Sequence, residues 1–189
     1  MPNLAHVLVC GGVTEEWRAT TALEWKAQLE TLINAVGDTG VRWLTICPFS
    51  GVLSDEDRDQ IFQKVIAACG GDIHHDRVSF IAGEGLQVTV DPCADGRQRI
   101  VAAVGRLQYS HEFDEAMLGT SILSPSQQDP DLVVVLGRPH QLPASLVWEL
   151  AYSELVFLDI PWTKCNVEHL QMAIDDFQRR DRRFGSIDS

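Results

Sequence analysis

Short apolar runs alternate along the chain with longer stretches in which apolar residues recur every three or four positions. Residues 4–10 form the first run and read as a buried strand. From Thr14 to about Val36, the residues Trp17, Leu23, Leu29, Leu32, Ile33 and Val36 fall broadly at helical spacing. Gly37 and Gly40 end that pattern. Residues 41–47 predict a second strand. Ser54 then heads a helix as its N-cap, with Asp55, Glu56 and Asp57 in the first turn, where the helix dipole favours anions. Gly70 and Gly71 close it. Residues 78–82 and 86–90 are short strands split by Gly-Glu-Gly, and residues 100–107 are helical in pattern. The run 132–136 is wholly apolar and reads as a strand buried on both faces, as in a parallel sheet. Residues 155–160 form a last strand and 167–183 a last helix.

Strands interleaved with helices predict an α/β fold with a mainly parallel central sheet flanked by helices, in one domain over residues 1–189. One connection departs from this. A parallel crossover needs a dozen residues or more, and none fits between Ala82 and Leu86. Those strands form a hairpin, or one lies outside the sheet. Trp43, Phe49 and Phe157 read as core.

Composition bounds the function. The chain is 45% hydrophobic and 22% charged, as expected of a soluble globular domain. No segment approaches the ~20 apolar residues of a membrane span. The first residues carry no basic n-region and read as a strand rather than a signal peptide. A net charge of −12 is repelled by nucleic-acid backbones and anionic lipid, so no nucleic-acid partner is expected. Cys10, Cys47, Cys69, Cys93 and Cys165 form no CxxC pair. They read as free thiols in a reducing, cytoplasmic compartment. His74, His75 and Asp76 lack a third ligand at metal-binding spacing.

Pro130 and the apolar strand behind it, Trp148, the segment 151–157 (Ala-Tyr-Ser-Glu-Leu-Val-Phe), Trp162 and the segment 179–185 (Arg-Arg-Asp-Arg-Arg-Phe-Gly) resemble the carboxy-terminal part of undecaprenyl diphosphate synthases, the cis-prenyltransferase family. Upstream, the strand from His6, Trp17, the segment 45–50 (Thr-Ile-Cys-Pro-Phe-Ser), Gly96 and Arg97 match more weakly. The resemblance implies the joining of an allylic diphosphate to isopentenyl diphosphate. Pyrophosphate leaves in that reaction, so the site needs Mg²⁺, cationic donors and backbone N–H groups. Mg²⁺ in turn needs carboxylate oxygens.

Most of that equipment is replaced. The family's Asp after the first strand is Gly12, and its loop Arg is Glu16. Its Ser-Glu-Asn begins here at Ser50 and continues as Gly51-Val52-Leu53. Its Asn before the Gly-Gly-Arg motif is Cys93, and its two isopentenyl diphosphate arginines are Val135 and Gln141. Glu154 stands where the family keeps a metal or substrate carboxylate; without its Asp partner it makes a poor Mg²⁺ site, and pairing across an interface is the other reading. Arg97, Arg138, His140 and Ser50 remain as residual substrate contacts, and Gly11-Gly12 is either a tight turn or an anion cradle.

Arg183 and Gly185 resemble the Arg-x-Gly end of the Nogo-B receptor type, the non-catalytic partners in heteromeric cis-prenyltransferases. The resemblance implies a chain that holds no catalytic residue and no metal of its own. It would pair with a catalytic cis-prenyltransferase subunit, or with itself, and offer Arg183 and Gly185 to an isoprenoid diphosphate in a Mg²⁺-bearing partner site. That type usually carries an amino-terminal membrane anchor; no stretch of this chain supplies one, so membrane association would come through the partner. A diverged transferase or cyclase active on its own is the alternative.

Overall fold

A computed structural model describes residues 4–108, 114–138 and 140–179. The strands are β1 (His6–Cys10), β2 (Trp43–Cys47), β3 (Asp72–His74), β4 (Arg77–Ala82), β5 (Leu86–Val90), β6 (Leu132–Leu136) and β7 (Glu154–Leu158). The helices are α1 (Thr14–Ala19), α2 (Ala22–Val36), α3 (Asp55–Cys69), α4 (Gly96–Leu107), α5 (Glu115–Leu123) and α6 (Val167–Arg179). The sheet has the order β3-β4-β5-β2-β1-β6-β7. Five strands run parallel, while β4 pairs antiparallel with β5 and β3 pairs antiparallel with β4. The α/β architecture is therefore as the sequence predicts, and the 82–86 connection is a hairpin.

Strand alternation separates two cores. Val7, Val9, Leu44, Ile46, Leu132, Val134 and Leu136 pack under α2, α3 and α6. On the other face, Leu8, Cys10, Cys47, Val133 and Val135 pack against Phe49 and Leu146. The helices α4 and α5 form a third, smaller cluster through Ala103, Ile122 and Leu123. Phe49 is buried as expected. Trp43 and Phe157 are only half-buried, and the Arg42 guanidinium lies 4.6 Å from the Trp43 ring.

The helical stretch expected over 14–36 is two helices. Thr21 caps α2 through a hydrogen bond from Glu24 N, and the Glu24 carboxylate accepts one from Thr21 N in return. That reciprocal box breaks the pattern at Thr20–Thr21. Two elements were not expected: β3, which is short and exposed, and α5.

His6 ties the start of β1 to the segment before β6. A carbonyl can only accept, so Nδ1 is protonated and donates to Gln128 O at 2.9 Å. The unprotonated Nε2 accepts from Thr45 Oγ1 at 2.9 Å. Burial pushes the His6 pKa down to about 4, against weaker pulls upward from the Gln128 carbonyl and Asp131. The unfolded chain, with an ordinary value of 6.5, takes up the proton first. This term favours folding fully above pH 6.5 and is lost as pH falls towards 4, a total of about 3 kcal/mol. Urea unfolding midpoints measured from pH 7 to 4 should fall more steeply for the wild type than for His6→Gln. Parallel slopes would refute the assignment.

Candidate functional site

The parallel strands end on one edge of the sheet, the place where α/β folds hold ligands. At that edge β1 and β2 are zipped together beyond their last paired residues. Gly11 N donates to Cys47 O at 3.0 Å, Phe49 N to Gly12 O at 2.7 Å and Thr14 N to Ser50 O at 3.1 Å. Val13 N donates to Glu16 Oε2 at 2.9 Å. The N–H groups of Gly11, Val13 and Thr14 are thus satisfied within the protein. The chain bends at Gly12, and Glu16 occupies the Val13 donor that an anion would use.

Gly12 has φ +72, a conformation that favours glycine. A Cβ built there would lie 3.0 Å from Trp17 Nε1, 3.2 Å from Glu16 Oε2 and 3.2 Å from Trp162 Cδ1. The wall is rigid. Trp17 is fully buried, donates from Nε1 to Gly11 O at 3.0 Å, and packs edge-on against Trp25 with ring centroids 5.0 Å apart. Trp162 closes the cluster 5.9 Å from Trp17.

The candidate residues fall in three places. Ser50 is at this edge, bridged to Val13. Arg138 is also here, its guanidinium 5.3 Å from the Phe49 ring, and His140 follows it, exposed with φ +71. Arg97 lies on the first turn of α4, its side chain 87% exposed and 3.9 Å from Asp95. Glu154 begins β7 opposite Leu132, whereas Cys10 of β1 lies opposite Val135. It therefore sits at the other end of the sheet from Gly12, at least three strand residues or roughly 10 Å away. Its Oε2 is buried without a hydrogen-bond partner among the described residues. Arg183 and Gly185 lie outside the described residues.

These positions do not fit Mg²⁺. Gly12 has no side-chain oxygen and its carbonyl accepts from Phe49 N, Glu16 accepts from Val13 N, and Glu154 is remote. Among the described residues no group of three or more His, Cys, Asp or Glu could hold a metal. His74 and His75 stack on each other, with ring centroids 3.9 Å apart.

A buried ionic network, not foreseen from the sequence, lies beside this edge. Asp91 follows β5 and is 1% exposed. Arg77 Nε donates to its Oδ2 at 2.8 Å, and Arg99 Nε lies 3.1 Å from the same atom. Arg99 Nη2 meets Glu149 Oε1 at 2.6 Å, and Nη1 donates to Ser145 O at 2.9 Å. Arg77 also donates to the carbonyls of Ser124 and Ile122. Burial alone would raise the Asp91 pKa, but the two guanidiniums outweigh it and hold the carboxyl below its usual range.

The network clamps the loop before Glu149 onto α4. Gly96 N donates to Ala144 O at 2.9 Å, and a Cβ at Gly96 would come within 2.8 Å of Ser145 O. Ser145 Oγ then lies 3.6 Å from Cys10 Sγ and 3.7 Å from Cys47 Sγ. Leu146 fills the apolar space beside them. Burial raises the Cys47 pKa well above that of an ordinary thiol, so it is no nucleophile. Ser145 and Leu146 thus cover the ends of β1 and β2 at Cys10 and Cys47.

Comparison with known proteins places this fold in a family. Residues 76–185, more than half of the chain, match the prenyltransferase family described as "Putative undecaprenyl diphosphate synthase". An isoprenyl transferase of Bacillus subtilis is 34% identical over 100 residues, which cover 49% of this chain and 38% of that protein. The chain therefore spans well under half of the length of that relative. Isoprenyl transferase 2 of Bradyrhizobium diazoefficiens is 27% identical over 97% of this chain and 90% of its own length. Two solved structures share the fold. A probable undecaprenyl diphosphate synthase from Campylobacter jejuni superposes with a TM-score of 0.66 at 17% identity, over 98% of this chain and 100% of that one. Lavandulyl diphosphate synthase from Lavandula x intermedia, in complex with dimethylallyl diphosphate, gives 0.63 at 15% identity, over 94% and 96%. With its parallel sheet, its strand-end turn and a family match across more than half its length, the chain belongs to the undecaprenyl diphosphate synthase (cis-prenyltransferase) family.

Proposed function

We propose that this chain is a non-catalytic subunit of a heteromeric cis-prenyltransferase. It would stabilise a catalytic homologue and place Arg183 and Gly185 in that partner's diphosphate site. The observation that carries the reading is at Gly12. Where the resemblance expects a metal-binding Asp, the backbone has φ +72 and is walled by Trp17, Glu16 and Trp162. A carboxylate there would have to push these neighbours aside, and Glu154 starts its strand at the other end of the sheet. The retained tail supports the same reading. A guanidinium suits a diphosphate, and glycine two residues later lets its backbone N–H approach closely. Mg²⁺ would be held by the partner. No helix among the described residues is long and apolar enough to cross a membrane.

Co-expression with a catalytic cis-prenyltransferase tests this. The pair should co-purify, and Arg183→Ala should leave it assembled while lowering its turnover by about 10²-fold, the usual loss for one donor to a developing anion. A pair that fails to assemble, or full activity with Arg183→Ala, would overturn it. Product from the single chain with Mg²⁺ and allylic and isopentenyl diphosphates would establish the alternative, an enzyme active alone.

A further inference from the structure

The outermost strand of the sheet on the side away from β7 is β3. It lies outside the residues that match the family. His75 and Asp76 turn the chain with φ values of 51 and 59, so His74 pairs directly with Arg77, and all three β3 residues are exposed. A strand edge presents unpaired N–H and C=O groups, and proteins blunt such edges with short strands, lysine, proline, bulges or a covering helix. β3 is short, but its sequence Asp-Ile-His holds neither lysine nor proline, and its pairing with β4 is continuous, without a bulge.

The two faces of β3 point to one occupant. Ile73 lies opposite Val78 and so shares a face with Val78, Phe80 and Ala82, the face packed under α3. Val78 is fully buried there, Phe80 and Ala82 only half, and Ile73 is 50% exposed. The larger core therefore reaches this edge and ends there partly exposed. Asp72 and His74 lie on the other face, opposite Ser79 and Arg77. Asp72 forms no ion pair among the described residues.

A second copy of β3, laid antiparallel about Ile73, satisfies both faces. Ile73 would meet its own copy and extend the apolar face across the junction. Asp72 would meet the second copy's His74, and His74 the second copy's Asp72. The charge pattern selects this register. Pairing centred on Asp72 or on His74, or parallel pairing in register, sets like residues against each other, and like charges directly opposite destabilise a ladder. We propose that β3 pairs antiparallel with β3 of a second copy of this chain, joining two sheets edge to edge about a two-fold axis at Ile73. The inference does not rest on the subunit reading and leaves the β7 edge unused.

The test is sedimentation equilibrium of the full chain at about 0.15 M salt, where repulsion between two copies of net charge −12 is screened within about 8 Å. A monomer–dimer equilibrium should appear between about 1 µM and about 0.5 mM. Ile73→Lys places a charge at the axis in both copies and should weaken the dimer tenfold or more. Lys26→Gln, on the exposed face of α2, should change it less than twofold. Cross-linking reads the register. Directly opposite residues of an antiparallel pair have Cα atoms about 4.5–5.5 Å apart, within disulfide reach. Ile73→Cys should therefore form a covalent dimer with oxidised glutathione, above any formed by the wild type. Asp72→Cys alone should not, whereas Asp72→Cys mixed with His74→Cys should. The proposal is overturned by a chain that stays monomeric throughout, by a dimer that Ile73→Lys leaves intact, or by Asp72→Cys linking to itself as readily as Ile73→Cys. It is also overturned if Ile73→Lys disrupts only the complex with a catalytic homologue, which would make that protein's sheet the occupant.

Discussion

Arg99→Met should destabilise the protein by about 4 kcal/mol, read from urea unfolding at pH 7. Removing one partner of a buried ion pair costs about 3–5 kcal/mol because the charge left behind is unpaired. Here the group left behind is Glu149, 1% exposed, with Arg99 Nη2 at 2.6 Å as its counter-charge. Asp91 would still have Arg77. A domain of this size is stable by about 5–15 kcal/mol, so this one change would remove a large share. The pair itself contributes far less than the single substitution suggests. Arg99→Met combined with Glu149→Met removes both charges and should recover most of the loss, to within about 2 kcal/mol of wild type. The clamp on the loop would be gone in both variants, so limited proteolysis should cut near Ser145 in each. A single substitution costing under 1 kcal/mol, or a double variant less stable than the single, would refute the account. Acid should weaken the network as well. Asp91 is held below the ordinary 3.8, so its contribution is complete above that pH and is lost as pH falls through the folded value.

The fold was largely legible because its strands are short and unmixed. Leu132–Leu136 holds only Leu and Val, and each of its residues is buried. The three residues between Ala82 and Leu86 excluded a crossover by length alone, and the two strands pair antiparallel. The break inside 14–36 was also written in the chain. Thr21 and Glu24 have the spacing of a capping box, but the apolar period runs on through them and hid the boundary. The helix α5 was hidden differently. Gly119 lowers its propensity, which masks the helix in the sequence.

The candidate site was less legible, for a physical reason. Motif comparison showed which groups were missing but not what replaced them. Glu16 reads in sequence as a repulsive neighbour for a diphosphate; in the fold its carboxylate caps Val13 N. Glu154 reads either as a metal or substrate carboxylate or as a residue that pairs across an interface, and the register of β6 with β7 shows that it starts its strand at the far end of the sheet from Gly12. Asp91, Arg99 and Glu149 come together from three separate segments, so no local pattern marks them. One signal existed. Gly96, Arg99 and Ala103 share the buried face of α4, at helical spacing, and a charged residue on such a face must find a partner.

Restoring the family carboxylate should fail, and the way it fails separates a closed site from a merely depleted one. Gly12→Asp places a Cβ at φ +72, which costs about 1 kcal/mol for a residue that tolerates the left-handed region. The same Cβ comes within 3.2 Å of Glu16 Oε2 and of two tryptophans, so the cluster must shift. The new carboxylate would then face Glu16 across the turn. A total loss of about 3 kcal/mol is expected, with no Mg²⁺-dependent product from allylic and isopentenyl diphosphates. Gly12→Ala carries the conformational and steric cost without the charge, so it should lose about 2 kcal/mol. Adding Glu16→Arg to Gly12→Asp supplies a counter-charge but takes the cap from Val13 N, so stability should return only in part. Activity should stay absent, because Val135 is buried in the core where the resemblance expects an arginine. If Gly12→Asp instead folds with wild-type stability and turns over alone, the tryptophan wall is no barrier, and the chain is an enzyme one residue away from its chemistry.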